Sequence, residues 1–262
     1  MILKGGSTIL GLADYIPEQR VSTEETMSRF SHRYGISDDY LKRTTGIFEK
    51  RRSLAGQMPS DLAVNASRTA LAKARLHPKD IHAIIYCGLI RDFEEPATSH
   101  IVQDKLGAKN AMCFDVTNAC HGFANGIFVA DTLVSAHQNI KSVLVITGEQ
   151  GSRFEDQAVD LLLNEQPEKR LLRTLTAGLT LGDAGGAIII GRKKGDTGFT
   201  GYNVASFGQF HSLCVAGSPL EQGALKTRMA SLMSEAAPRV ASMYREFLTK
   251  RALLCSGVTA AS

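Results

Sequence analysis

One cysteine of this chain sits where protein architecture makes a nucleophile. Cys120 lies in Phe114-Asp115-Val116-Thr117-Asn118-Ala119-Cys120-His121-Gly122-Phe123. The run Ala111 to Val116 is apolar and β-compatible, and it breaks into a predicted long helix. There Phe123, Ile127, Val129, Ala130, Leu133 and Val134 recur at helical spacing, with Asn125, Asp131 and Gln138 mostly between them. A thiol at a helix start faces unpaired N–H groups and the positive end of the dipole, which stabilise negative charge on sulfur. The other reading is a cysteine packed like a small apolar residue, the commoner fate in an apolar stretch. His121 adjoins the thiol but forms no obvious pair with it, because neighbours on a helix point about 100° apart.

Composition sets the class. The 262 residues are 44% hydrophobic and 21% charged, which is ordinary globular composition with ample material for a core. No apolar run approaches the ~20 residues needed to span a bilayer. The opening Met1-Ile2-Leu3-Lys4-Gly5-Gly6 lacks the basic-then-apolar layout of a secretory signal. Cys87, Cys113, Cys120, Cys214 and Cys255 are odd in number and irregular in spacing, so no disulfide framework is expected. No CxxC pair or His/Cys cluster points to zinc, and a cytoplasmic, reduced setting is expected. A formal charge of +4 is too small to imply nucleic acid. Lys50-Arg51-Arg52 and Arg192-Lys193-Lys194 read as solvated surface, with a phosphate-bearing ligand or an acidic carrier protein as the other use.

Strand and helix patterns alternate along the chain. Strands are predicted at Thr8 to Ala13, Ile81 to Leu89, Ala111 to Val116, Val143 to Thr147 and within Leu179 to Gly191. Helices are predicted at Thr23 to Phe30, with a Thr23-x-x-Thr26 start, at Asp61 to Ala74, capped by Asp61 or Ser60, and at Ser99 to Leu106. Asp156 to Leu172 reads as an inserted helical excursion. Gly182-Asp183-Ala184-Gly185-Gly186 lacks a phosphate-loop arrangement, and close backbone packing is the favoured role. Tyr202 to Phe210 is strand-compatible. Gln222 to Lys250 makes a long amphipathic helix with Pro238 inside it, followed by a helix-end signature at Leu253-Leu254-Cys255-Ser256-Gly257. The whole predicts an α/β architecture, a mainly parallel sheet with helices on both faces.

From about Ile9 to its end, the chain resembles the ketoacyl-synthase-III branch of the thiolase-fold condensing enzymes. Four segments carry the likeness. Arg43-Thr44-Thr45-Gly46-Ile47 with Arg51-Arg52 is similar to an RTGI-x-x-R segment. Asp115 to Phe123 is similar to the elbow D-[VIL]-x-x-A-C-x-G-F, and Leu181 to Ala187 to FGDGAGA. Arg91-Asp92-Phe93-Glu94-Glu95-Pro96, with Ser206 to Cys214, is closest to the olefin-pathway thiolases, which join two acyl-CoAs head to head.

The resemblance implies a thiolase-like fold: residues 1–195 as a complete N-terminal half carrying the nucleophile, and 196–262 as the start of an incomplete C-terminal half. It implies an acyltransferase in which Cys120 accepts an acyl group from acyl-CoA or an acyl carrier protein for Claisen-type condensation. No metal or redox cofactor is implied. Glu95 matches the base of the head-to-head subgroup, contributed across a homodimer interface; the other reading is an exposed loop carboxylate. Tyr40 and Arg43 stand near the positions of a stacking aromatic and an arginine that contact the CoA nucleotide, although Thr44-Thr45 shifts Arg43 by one residue. The family histidine and asparagine of the second half have no counterpart after His211. Decarboxylative condensation by this chain alone is therefore expected to be crippled. A noncatalytic partner of a complete synthase is the reading from another class.

Overall fold

Short runs that are apolar on both faces dictate the centre of the molecule. All four residues of Ala83–Tyr86 are buried, Ala83 and Ile85 facing one helical layer and Ile84 and Tyr86 the other. Ser142–Gln150 repeats the pattern, with Val143 and Val145 on one side and Leu144 and Ile146 on the other. The computed structural model describes residues 2–193, 195, 197–217 and 223–252, and it joins five strands into one sheet. Their spatial order is Ser7–Tyr15, Asp183–Arg192, Ser142–Gln150, Ala83–Tyr86 and Met112–Asp115. Ala83–Tyr86 is parallel to both its neighbours, whereas Asp183–Arg192 is antiparallel to both of its own. Four strands therefore share a direction around a single reversed one, a mainly parallel mixed sheet.

Helices Pro59–Ala74 and Thr98–Leu106 cover one face, and Gly122–Ala136 covers the other. Pro59–Ala74 lies almost on the strands. A Cβ on Gly185 would come 2.2 Å from the Leu62 carbonyl oxygen, and one on Gly148 would come 1.8 Å from that of Pro59. The glycine-rich segment thus serves close packing, as its composition suggested.

Element boundaries differ from expectation where turn chemistry decides them. The first helix is Thr23–Ser28, and its cap is Ser22, whose Oγ accepts from the Glu25 amide at 3.0 Å, rather than Thr23. The helix expected from Asp61 begins at Pro59, which needs no N–H there; Asp61 instead accepts from the Met58 amide at 2.9 Å. The excursion after the third parallel strand is a pair of helices, Ser152–Asn164 and Lys169–Leu179. It buries Leu162, Leu172 and Leu175 against Met27, Phe30 and Leu41. Tyr202 to Phe210 forms only the short strand Gly201–Asn203 before the 3-10 turn Gly208–Leu213. The long helix is Met229–Ala252, preceded by the two-residue strand Lys226–Thr227. Lys194, Gln222 and the segment Leu253 to Gly257 lie outside the described residues.

Gly148→Ala forces methyl against backbone and is expected to lower unfolding free energy by about 2 kcal/mol. Urea denaturation monitored by circular dichroism measures it; an unchanged midpoint would mean the helix and strand can separate freely.

Candidate active site

The strand Met112–Asp115 continues its pairing one residue further, through Val116 N–H to the Tyr86 carbonyl at 2.8 Å, and then turns sharply. Ala119 has φ +46°, a left-handed conformation that an L-residue other than glycine adopts at a cost of about 1 kcal/mol. Two bonds at 3.0 Å close the turn, His121 N–H to the Asn118 carbonyl and Gly122 N–H to that of Ala119. Asn118 Nδ2 donates to Asn125 Oδ1 at 2.9 Å. The strained residue immediately precedes Cys120, so the bend lifts its thiol off the sheet.

Cys120 is exposed, as are Thr117 to Ala119 and His121. The helix Gly122–Ala136 begins two residues later, with His121 at its cap and exposed, away from any pairing with the thiol. Phe123 and Ala124, in its first turn, find no hydrogen-bond acceptor for their amides among the described residues. This helix is seated by absence of side chain. A Cβ on Gly122 would lie 2.6 Å from the Cys87 carbonyl oxygen, and one on Gly126 would lie 2.3 Å from Cys87 Sγ.

The other thiols differ in surroundings. Burial pushes Cys87 up to about 12 and Cys113 up to about 11, with Asp115 adding to both. Cys214 is exposed beside Thr227.

Asp115 does work the sequence did not reveal. Its two oxygens accept from the Thr98 and Ser99 amides, each at 3.0 Å, which caps the Thr98–Leu106 helix. The loop before that helix carries Glu95 and is anchored in its first half. Leu89 N–H reaches Glu149 at 2.8 Å, Tyr86 OH lies against the Ile90 carbonyl, and Asp92 accepts from the Ser60 amide at 2.8 Å. Burial raises the Glu149 carboxyl above the usual carboxylate range, against the hydrogen bonds it accepts. Glu95 and its neighbour Glu94 are exposed. Among the described residues, no hydrogen bond or ion pair joins Cys120 to Glu95, Tyr40 or Arg43.

The nucleotide candidates sit on Tyr40–Thr45. Tyr40 is half-buried against the helical excursion's core. The Arg43 side chain is 73% exposed, its guanidinium 3.9 Å from Asp39. The solvated-surface reading of Lys50-Arg51-Arg52 needs a correction, since Lys50 is buried and Arg51 and Arg52 are partly buried. Lys50 pairs with Glu155 and donates to the Leu179 carbonyl at 2.8 Å, while Thr26 Oγ1 donates to Glu155 at 2.6 Å. Arg51 reaches the Pro17 carbonyl at 2.8 Å and Arg52 reaches Asp156 at 2.7 Å. Burial holds the Lys50 ammonium below the ordinary lysine range, with Glu155 opposing. His211 is exposed in the Gly208–Leu213 turn.

The comparisons with known proteins bear on this geometry. Residues 114–208, the elbow included, match the family of 3-oxoacyl-[acyl-carrier-protein] synthase III. Beta-ketoacyl-[acyl-carrier-protein] synthase III of Wolbachia pipientis subsp. Culex pipiens is 34% identical over 214 residues, covering 80% of this chain and 60% of the relative. The synthase of the same name from Clostridioides difficile is 35% identical over 183 residues, 70% of this chain and 50% of the relative. In structure, a glutamate-to-glutamine variant of Xanthomonas campestris OleA superposes with TM-score 0.83 at 26% identity. It covers 92% of this chain and 71% of OleA. The chain is a ketoacyl-synthase-III-like member of the thiolase superfamily.

This ketoacyl-synthase-III-like chain spans 60% of the length of its Wolbachia relative. A further OleA variant, cysteine to serine, was crystallised with bound lauric acid and lauroyl-CoA and superposes with TM-score 0.82 at 26% identity, covering 92% of this chain and 72% of OleA. No helix among the described residues is long and apolar enough to cross a membrane.

Two measurements check the site. At pH 8, iodoacetamide is expected to label Cys120 and Cys214 in the folded protein and to reach Cys87 and Cys113 only in denaturant; equal rates by peptide mapping would contradict the burial. Glu155→Gln leaves Lys50 buried and unpaired, at an expected cost of about 3–5 kcal/mol. Lys50→Met with Glu155→Leu should recover most of that stability.

Proposed function

We propose that this chain carries the acyl-accepting step of a ketoacyl-synthase-III-type condensation. The Cys120 sulfur attacks the carbonyl carbon of an acyl-CoA or acyl-carrier thioester. A new carbon–sulfur bond forms, the old one breaks, and the CoA or carrier leaves as its thiol with the Cys120 proton. The acyl-Cys120 thioester is then the electrophile for Claisen-type attack by a carbanion from a second thioester. Splitting carbon–carbon bond formation this way replaces one difficult step by two easier ones. N–H groups at the elbow, including that of Cys120, would stabilise the tetrahedral oxyanion.

The observation that carries the reading is Cys120 standing exposed after the strained Ala119, two residues before a 15-residue helix. The kinship with beta-ketoacyl-[acyl-carrier-protein] synthases III supports the same chemistry. In this reading Tyr40 and Arg43 line the approach of the CoA nucleotide, and the protein works in the cytoplasm on thioesters without a metal or redox cofactor.

A second reading, head-to-head joining of two acyl-CoAs with Glu95 as the base, draws support from the likeness to OleA. It requires a second copy that brings Glu95 to the neighbouring Cys120. Two features favour such a homodimer. Met112–Asp115 is an unpaired edge of the sheet, and Met112 is 43% exposed there. Phe114, Val116, Phe123 and Ile127 beside it are only partly buried.

Incubation with lauroyl-CoA followed by intact-mass measurement tests the first step. One added acyl group is expected in the wild type and none in Cys120→Ala; a folded protein with no adduct would leave the scaffold role in place. Glu95→Gln should keep the adduct and lose the head-to-head product. Unchanged product formation would remove Glu95 from the mechanism.

A further inference from the structure

At the end of the sheet opposite Cys120, where Ala83–Tyr86 and Ser142–Gln150 begin, lies a cleft of about 500 Å³. Its size falls in the ordinary range for small-molecule sites. Leu10 and Leu76 supply its apolar lining, and Lys79, Lys141 and Arg192 supply positive charge.

The apolar lining is built by a local irregularity. Ile9 pairs with Ile190 and Gly11 with Ile189, so Leu10 is an extra residue, a β-bulge that re-aims its side chain. That side chain lies across Gly191, where a Cβ would come 2.3 Å from Leu10 Cδ1. Bulge and glycine together leave Leu10 38% exposed within the cleft.

The charge around it is unbalanced. Lys79 and Lys141 are exposed, and their ammonium groups have no ion pair or hydrogen bond among the described residues. Arg192 gives one N–H to the His137 carbonyl at 2.7 Å. The one acid in the lining, Asp80, is engaged by the His77 amide at 2.9 Å. Ser142 donates its proton to the Asp80 carbonyl, so at 3.1 Å its Oγ accepts from His82 Nδ1. The polar groups at the base of the cleft are thereby fixed, while two ammonium groups stay free. Lysine and arginine also present aliphatic stems beneath their charges, which extends the apolar lining.

We infer that this cleft binds an amphiphilic anion, a single carboxylate or phosphate head on a short alkyl chain. The alkyl chain lies along Leu10 and Leu76, and the head meets Lys79, Lys141 and Arg192. The site is separate from Cys120 and does not depend on the chemistry there.

Isothermal titration of the full chain with octanoate, octyl phosphate and octyltrimethylammonium tests it. Saturable binding of at least one anion is expected, weakening with added salt, with none for the cation. The double variant Lys79→Glu with Lys141→Glu alters exposed, unpaired side chains. It should keep the fold by circular dichroism and weaken anion binding about tenfold. Gly191→Ala, which displaces Leu10, should weaken it independently of charge. Preference between the two anions identifies the head group. Absence of saturable binding, equal binding of the cation, or an affinity unchanged in the charge variant would each overturn the proposal; the last would mean the anion sits elsewhere, including at Cys120.

Discussion

The start of the Gly122–Ala136 helix presses against the end of the Ala83–Tyr86 strand so closely that positions 122 and 126 admit no side chain. These positions are one helical turn apart and therefore share a face. The contact fixes where the helix begins, and with it the height of Cys120 above the sheet. The connection from Asp115 to Gly122 has little slack. It must rise and reverse within a few residues, and the left-handed Ala119 is the outcome. Exposure of the thiol follows from packing two residues away rather than from the cysteine itself.

Around this seat, carboxylates tie backbone to backbone. Asp115 joins the strand before Cys120 to the start of Thr98–Leu106, and Asp92 joins the intervening loop to Pro59–Ala74. Asp183 accepts from the amides and hydroxyls of both Ser53 and Ser152. Asp131 accepts from the Gly6 and Ser7 amides, fastening the first long strand to the central helix. Each satisfies donors that would otherwise be left without partners in the interior, where an unmade bond costs more than a made one returns. The Asp92 and Asp115 bonds hold the start of the loop that carries the exposed Glu95 and the start of the helix that follows it.

The two ends of the sheet carry different chemistry. Parallel strands deliver their C-terminal ends to one side, from which the elbow and the Glu95 loop both emerge. Their N-terminal ends border the cationic cleft on the other side, where a bulge and a glycine place the Leu10 side chain. Separation by the length of the sheet lets each end be shaped without disturbing the other, because Ala83–Tyr86 and residues 142–146 between them are buried.

Much of this was legible in the residue order. Apolar runs and helical spacing located the sheet strands and the covering helices, and the elbow stood out because a thiol preceded an apolar helix. Those signals are local, so they survive in one dimension. Boundaries were less legible, since Ser22 and Pro59 win their places through single hydrogen bonds or a missing N–H. What lay beyond reading was pairing at long separation. Lys50 takes the buried place beside Glu155, 105 positions away, while Arg52 reaches Glu155 from the rim and bonds Asp156, and Arg51 turns to the Pro17 carbonyl. Adjacent cations look alike in sequence; strand alternation turns Lys50 and Arg52 to the Glu155 side and Arg51 away from it, and only the packed fold buries Lys50 more deeply than Arg52. The same holds for Asp115 and for Leu10 at its bulge: residue type was evident, but the partner exists only once the chain has folded.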